Sequence, residues 1–212
     1  MTKLPETAFR RADETPDERF YQAPRFVTHI DAGAIAAVTQ LYREYLPAGG
    51  AVLDLMSSWV SHLPPEVSYR RVVGLGMNEA ELRRNERLTS YVVQNLNTDP
   101  KLPFADGEFG GAGITVSVDY LTQPVAVLRE LGRVLTAGAP VVITFSNRCF
   151  PTKAVAIWHH LDDQGHMGLV GRYLEEAGNW ADIVQLDRSP KAARMGWGDP
   201  LYAVVARARL VS

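Results

Sequence analysis

The residues of this sequence that could do chemistry lie at the C-terminal ends of four short apolar runs or directly after them, one group at each run. They are Asp54, Met56, Ser57 and Ser58 at the first run, Gly74, Gly76 and Asn78 at the second, Asn97 at the third, and Ser117, Asp119 and Tyr120 at the fourth. Carboxylate, amide and hydroxyl groups can hydrogen-bond a polar ligand, and glycines let the backbone approach one closely. Asp119 and Tyr120 are also residue types that can act as a general base.

Strands that alternate with helices must position these residues. The strand-length apolar runs span residues 51–55, 71–75, 91–96, 112–118 and 140–145, and helical patterns span 31–45, 79–85, 124–135 and 152–161. Several of the runs are continuously apolar, which is typical of parallel strands that are buried on both faces.

The C-terminal part departs from this alternation. A helix is predicted over 168–177, and apolar runs at 181–186 and 201–207 follow with only a loop between them, so they predict an antiparallel hairpin. The fold class is therefore α/β, a doubly wound, mostly parallel seven-stranded sheet with an antiparallel C-terminal hairpin. Ligands bind such sheets beyond the C-terminal ends of the strands, which is where the candidate residues lie.

Several candidates also have a structural alternative. Asp54 could cap its loop, Asn78 could cap the helix that follows it, and Asp119 could cap a turn beside a packed Tyr120. The five histidines and the single cysteine have no metal-site spacing, so no metal site is predicted.

Length and composition limit the classes of protein. The 212 residues predict one domain over 31–212, preceded by a partly flexible N-terminal cap at 1–30. A net charge of −2 argues against a protein that coats nucleic acid. No apolar run approaches the roughly 20 residues that span a bilayer. The N-terminus is too polar for a signal peptide, and a single cysteine fits a reducing compartment, so we expect a cytoplasmic protein.

The stretch LPFADGEFGGAGITVSVDYLTQPVAVLRELGRVLTAGAPVVITF, residues 102–145, resembles the second half of a class I S-adenosylmethionine-dependent methyltransferase of the type 11 group. The segments VLDLMSSWVSHLP and FSNRCFPTKA resemble a divergent branch of that family with a glycine-poor cofactor loop. In the family, this loop carries an acidic residue followed by three glycines at alternate positions. Here Asp54 keeps the acid, but Met56, Ser58 and Val60 stand where the glycines would be.

The resemblance implies S-adenosyl-L-methionine as the cofactor and assigns its contacts to Asp54, Met56, Ser57, Ser58, Gly74, Gly76, Asn78, Asn97 and Ser117. Gly76 aligns with the acid that binds the ribose in the family, and Asn78 nearby could bond a ribose hydroxyl instead. Asn97 could bond the adenine amino group. The acceptor would meet the methyl group beyond Asp119 and Tyr120, which are the predicted catalytic residues.

Basic and aromatic residues outside these loops are further candidates. An N-terminal segment often folds over the cofactor in this fold, so Tyr21, Arg25 and His29 are candidate lid or substrate residues. Arg148 and Lys153 could receive an anionic substrate, or both could simply be solvated.

Two functions fit these patterns best. One is S-adenosylmethionine-dependent methyl transfer to a small-molecule acceptor, and the polar residues at the cofactor positions favour it. The other is non-catalytic binding of a nucleoside-like ligand or a protein partner by the same fold, and the altered loop favours it. A nicotinamide-dependent reductase is disfavoured because no glycine fingerprint follows the first strand.

Overall fold

Seven strands form one sheet in which β1 and β4 lie side by side. The computed structural model describes residues 4–209. The strands are β1 (Ala51–Leu55), β2 (Arg71–Gly76), β3 (Ser90–Val93), β4 (Gly111–Thr115), β5 (Pro140–Phe145), β6 (Trp180–Asp187) and β7 (Tyr202–Ala208). Their order is β3-β2-β1-β4-β5-β7-β6. Strands β1 to β5 run parallel, whereas β7 is antiparallel to β5 and β6. The predicted fold class is confirmed.

Helices cover both faces of the sheet. They are α1 (Asp17–Phe20), α2 (Ala32–Tyr45), α3 (Glu79–Arg84), α4 (Pro124–Val134), α5 (Ala156–His159), α6 (Asp163–Ala177) and α7 (Lys191–Arg194). One apolar cluster joins the sheet to α4 and α6, and a second joins it to α2. Strands β1 and β5 are buried at every position, as their continuous apolar runs predict. Within residues 4–209, no helix is long and apolar enough to span a bilayer.

Strands β3 and β4 are shorter than predicted. The chain leaves β4 after Thr115 because Val116 has a left-handed φ of 44°. After β3 the chain turns, since the side chain of Asn95 accepts a hydrogen bond from the backbone amide of Asn97 at 3.0 Å. Asn97 and the residues after Thr115 therefore lie on loops beyond the strand ends, where side chains can reach a ligand.

The region after β5 does not form the single helix predicted over 152–161. Only the short helix α5 forms there, and the amide of Val155 before it donates to the carbonyl of Asp119 at 3.0 Å. Helix α6 begins at Asp163, five residues before the predicted start, because the side chain of Asp162 caps it. The chain after β5 is thus tied to the loop that follows β4.

The N-terminal segment, for which the sequence predicts partial flexibility, is anchored by a buried lysine after β5. Lys153 is fully buried, donates to the carbonyl of Thr15 at 2.7 Å and lies 3.2 Å from the carboxylate of Asp17. A buried ammonium group needs such partners, because desolvating an unpaired charge is costly. Lys153 is therefore an anchor for the N-terminal segment.

Gly76 and Gly168 provide a matched pair of substitutions by alanine. A methyl group on Gly76 would meet the carbonyl oxygen of Ser57 far inside van der Waals contact, whereas nothing lies within 4 Å of one on Gly168 in α6. We expect Gly76→Ala to lower the free energy of unfolding by about 2–3 kcal/mol through overpacking. Gly168→Ala should raise it by about 0.5–1 kcal/mol, because alanine is the better helix former.

Urea denaturation of both variants tests this expectation. A Gly76→Ala protein as stable as the wild type would show that Ser57 does not lie against the end of β2.

Candidate functional site

A cavity of about 600 Å³ opens at the C-terminal ends of β1, β2 and β4. It lies where the strand order reverses between β1 and β4, which is the position of ligand sites in doubly wound sheets. Eight of the predicted site residues line it, namely Met56, Ser57, Ser58, Gly76, Asn78, Asn97, Ser117 and Tyr120. The structure does not bring Asp54, Gly74 or Asp119 to the wall of this cavity.

Asp54 lies beneath the loop that follows β1 and holds that loop together. Its buried carboxylate accepts hydrogen bonds from the hydroxyl of Ser57 at 2.5 Å and from that of Ser61 at 2.7 Å. Burial raises the pKa of Asp54 to about 6, although both hydroxyls act in the opposite direction. The alternative in which Asp54 caps its loop agrees with these bonds, and its contact with a cofactor stays a prediction.

Two residues at the cavity wall have left-handed backbone conformations. Met56, directly after β1, has a φ of 59°, and Val116, directly after β4, has a φ of 44°. For residues with a Cβ atom this conformation costs roughly 1–2 kcal/mol, and for a β-branched residue it is an outlier. Such strain clusters at functional sites, and here it falls on the two strands that flank the reversal of strand order.

The two glycines of β2 differ in what surrounds them. A methyl group on Gly74 would meet the end of the Leu88 side chain at 2.5 Å, so this residue faces protein and not the cavity. The amide of Ser57 donates to the carbonyl of Leu75 at 2.8 Å, which lays the loop after β1 against the end of β2 and over Gly76. A side chain at position 76 is sterically excluded, so an acid that binds a ribose must come from elsewhere.

The side chain of Asn78 is committed to the chain itself. Its carbonyl oxygen caps α3 by accepting from the amide of Glu81 at 3.1 Å, and its amide donates to the carbonyls of Tyr21 at 2.8 Å and Gln22 at 3.2 Å. Glu81 also lines the cavity and accepts from the backbone amide of Arg25 at 2.6 Å. The helix-cap alternative for Asn78 is confirmed, and the N-terminal segment lies over the end of β2.

Asn97 is also bonded to protein groups. Its amide donates to the carboxylate of Asp17 at 3.0 Å and to the carbonyl of Tyr120 at 2.9 Å, and its carbonyl oxygen accepts from the amide of Thr122 at 2.8 Å. It borders the cavity, but these bonds join the N-terminal segment to the loop after β4. The adenine contact of Asn97 therefore stays a prediction.

Ser117 supplies a free polar group at the cavity wall. Its hydroxyl is buried, and it has no hydrogen-bond partner among residues 4–209. Leaving a buried hydroxyl unpaired costs free energy, so this group of Ser117 is a cost that the fold accepts beside the cavity. The strained turn at Val116 directly precedes this residue and sets its position.

The two predicted catalytic residues occupy different environments. Tyr120 lines the cavity, and its hydroxyl oxygen accepts a hydrogen bond from the amide of Phe150 at 2.8 Å. Asp119 is buried behind it, off the cavity wall, and one of its carboxyl oxygens has no partner within residues 4–209. Burial raises the pKa of Asp119 to about 8 and also raises the pKa of Tyr120. Both side chains are thus mostly protonated at neutral pH.

An acidic pair at the cavity wall, Asp31 and Asp199, is not among the residues that the sequence predicts for the site. The amide of Asp31 donates to the carboxylate of Asp199 at 2.9 Å, and the amide of Asp199 donates back to that of Asp31 at 2.8 Å. The two residues are 168 positions apart, so no local spacing could indicate their contact. Among the residues that the structure describes, no group of three or more histidine, cysteine or acidic side chains could hold a metal ion.

The buried carboxyl group of Asp119 predicts a pH dependence of stability. Its pKa is raised from 3.8 to about 8, so the folded chain holds this proton more tightly than the unfolded chain. The resulting stabilisation is complete below about pH 4 and is lost as the pH rises to about 8. Since each pKa unit is worth about 1.4 kcal/mol, we expect a fall of a few kcal/mol across this range.

Urea denaturation between pH 5 and pH 8.5 measures this fall. Asp119→Asn, which mimics the protonated acid, should flatten it, while Asp106→Asn at a side chain that is 83% exposed should not. Parallel profiles for Asp119→Asn and the wild type would contradict the assignment.

Comparison with known proteins identifies the fold. The sequence matches no protein-family model and no curated protein. The [4+2]-cyclase SpnF matches with a TM-score of 0.61 and 14% identity over 92% of each chain. An S-adenosylmethionine-dependent methyltransferase from Mesorhizobium loti matches at 0.57 and 17% over 81% of this chain and 97% of that one. A second such methyltransferase, from Aquifex aeolicus, matches with a TM-score of 0.56 and 16% identity over 97% of this chain and 100% of that one. Together with the strand order, these matches show that the chain has the class I methyltransferase fold.

Proposed function

We propose that this chain binds S-adenosyl-L-methionine in the cavity beyond β1, β2 and β4 and methylates a small-molecule acceptor. The observation that carries the proposal is a cavity of about 600 Å³ at the reversal of strand order, with eight of the predicted site residues in its wall. Two of the structures that share the fold are S-adenosylmethionine-dependent methyltransferases, which supports the choice of ligand.

The cavity suits this cofactor in size and in chemistry. Its volume of about 600 Å³ is within the range of roughly 300–1,000 Å³ that is usual for small-molecule sites. Ser117 and the left-handed backbone at Met56 would hold the methionine part, and Glu81 would supply the acid for the ribose that position 76 cannot carry. When bound, the cofactor supplies a methyl group on a positively charged sulfonium, which an aligned nucleophile displaces in line.

The acceptor that suits this site needs no strong base. Asp119 is off the cavity wall, and Tyr120, which lines the cavity, carries a protonated hydroxyl because burial raises its pKa. A general base is required only where the nucleophile must lose a proton. The chain would therefore contribute alignment and exclusion of water, with Tyr120 as the residue that touches the acceptor and Asp119 as the residue that positions Tyr120.

The alternative is a non-catalytic protein, or one with another activity, that uses the same cavity. The polar atoms of Asn78, Asn97 and Glu81 already bind the N-terminal segment and neighbouring loops, so fewer groups are free for a cofactor. One protein of this fold, SpnF, is a [4+2]-cyclase, so the fold alone does not fix the reaction.

Calorimetric titration with S-adenosylmethionine and S-adenosylhomocysteine tests the proposal. We expect micromolar binding of at least one of them. Ser117→Ala should weaken it about 3- to 10-fold, which is the effect of losing one hydrogen bond. Ser68→Ala is the matched control, because Ser68 is exposed and does not line the cavity.

No heat from either ligand, together with no rise in the melting temperature at millimolar concentration, would overturn the proposal in favour of the alternative. Equal affinities for Ser117→Ala and Ser68→Ala would remove Ser117 from the site.

A further inference from the structure

Each oxygen of the carboxylates that line the cavity already accepts at least one hydrogen bond from the protein. They belong to Asp17, Asp31, Glu81 and Asp199. The two oxygens of Glu81 accept from the amide of Arg25 and from the hydroxyl of Ser58, both at 2.6 Å. Those of Asp17 accept from Arg11 at 2.7 Å and from Asn97 at 3.0 Å.

The acidic pair is satisfied in the same way. One oxygen of Asp31 accepts from the amide of Ala34 at 2.9 Å and the other from the amide of Asp199. The oxygens of Asp199 accept from the amide of Asp31 and from Nε of Arg148 at 2.8 Å. A cationic acceptor would thus have to compete with protein donors for each of these oxygens.

The guanidinium groups at the cavity are in the opposite situation. Arg25 uses Nη2 to bond the carbonyl of Phe20 at 2.9 Å, and its Nε and Nη1 have no hydrogen-bond partner among residues 4–209. Arg148 uses only Nε, so both of its terminal nitrogens are free within that part of the chain, and its side chain is 64% exposed. Arg25 and Arg148 therefore offer unused N–H groups that carry positive charge, which suit an oxyanion.

Aromatic rings surround the guanidinium group of Arg25. Its central carbon lies 4.5 Å from the ring centroid of Phe20 and 5.2 Å from that of Phe150. The ring of Phe150 also lies 5.8 Å from Tyr120 and 5.3 Å from His29. Cation–π contacts hold the arginine at the cavity wall. Phe150 and Tyr120 also line the cavity, so aromatic side chains stand beside this arginine at the wall.

We propose that the acceptor is a small aromatic molecule that carries an oxyanion, either a carboxylate or a phosphate. Arg25 binds the oxyanion inside the cavity, Arg148 attracts it at the mouth, and Phe150 packs against the ring. That the bound molecule is a methyl acceptor rests on the proposed function. Binding of the oxyanion by Arg25 and Arg148 does not depend on the cofactor.

Calorimetry with 4-hydroxybenzoate and phenyl phosphate, each with and without S-adenosylhomocysteine, tests the site. Methyl 4-hydroxybenzoate is the neutral control and tyramine the cationic one. We expect at least one anion to bind at least tenfold more tightly than both controls, and the stronger of the two anions identifies the group. Arg25→Ala and Arg148→Ala should each reduce this preference several-fold.

Arg84→Ala is the matched control variant. Its guanidinium group also lies over a ring of the N-terminal segment, 4.9 Å from the centroid of Phe26, but it does not line the cavity. It should leave the preference for anions unchanged. The exposed Arg148 keeps the test valid even if Arg25→Ala loosens the N-terminal segment.

Any of three results would overturn the inference. They are equal binding of tyramine and the anions, an anion preference that survives Arg25→Ala and Arg148→Ala, and absence of anion binding up to about 10 mM probe. A protein that does not bind the cofactor would contradict the proposed function only. The titrations of the anions without S-adenosylhomocysteine test the present inference independently.

Discussion

The contact between the loop after β1 and the end of β2 determines the layout of the site. The buried carboxylate of Asp54 bonds Ser57 and Ser61, and the backbone of Ser57 then lies directly over Gly76. Because that position cannot carry a side chain, a carboxylate on this side of the cavity can come only from the next helix, where Glu81 stands. The loop without glycines and the strand end without an acid are therefore two consequences of one packing arrangement.

The N-terminal segment depends on the same arrangement. Asn78 and Glu81 face the cavity from the first turn of α3, and they bond the backbone of residues 21–25. Lys153, buried after β5, holds the preceding residues through the carbonyl of Thr15 and the carboxylate of Asp17. The segment is thus held from two regions of the chain, the start of α3 and the loop after β5. Among the groups that take part, Asn78, Glu81 and Asp17 also line the cavity.

The sequence predicts the fold well because strands buried on both faces leave a strong local signal. The apolar runs at 51–55 and 140–145 match β1 and β5 residue for residue. Local signals fail where a long-range bond decides the structure. The amide of Val155 is taken by the carbonyl of Asp119, so the helix predicted after β5 is mostly lost. The hydrogen bonds between Asp31 and Asp199 cannot be predicted from the sequence for the same reason, because no local pattern near either residue indicates the other.

The predicted site shows the same division between location and role. Residue type placed eight of eleven candidates on the cavity wall, because strand ends fix which loops converge. It could not tell which polar atoms remain free, since that depends on partners from distant segments. The side chains of Asn78 and Asn97 could bond a ligand, but they make hydrogen bonds to other residues of the protein. The hydroxyl of Ser117, which follows a strained turn, has no such bond within residues 4–209. At this wall the carboxylate oxygens already accept hydrogen bonds from the protein, whereas Arg25 and Arg148 keep N–H groups without a partner in residues 4–209. Which ligand suits the cavity therefore depends on which polar groups the fold leaves unbonded.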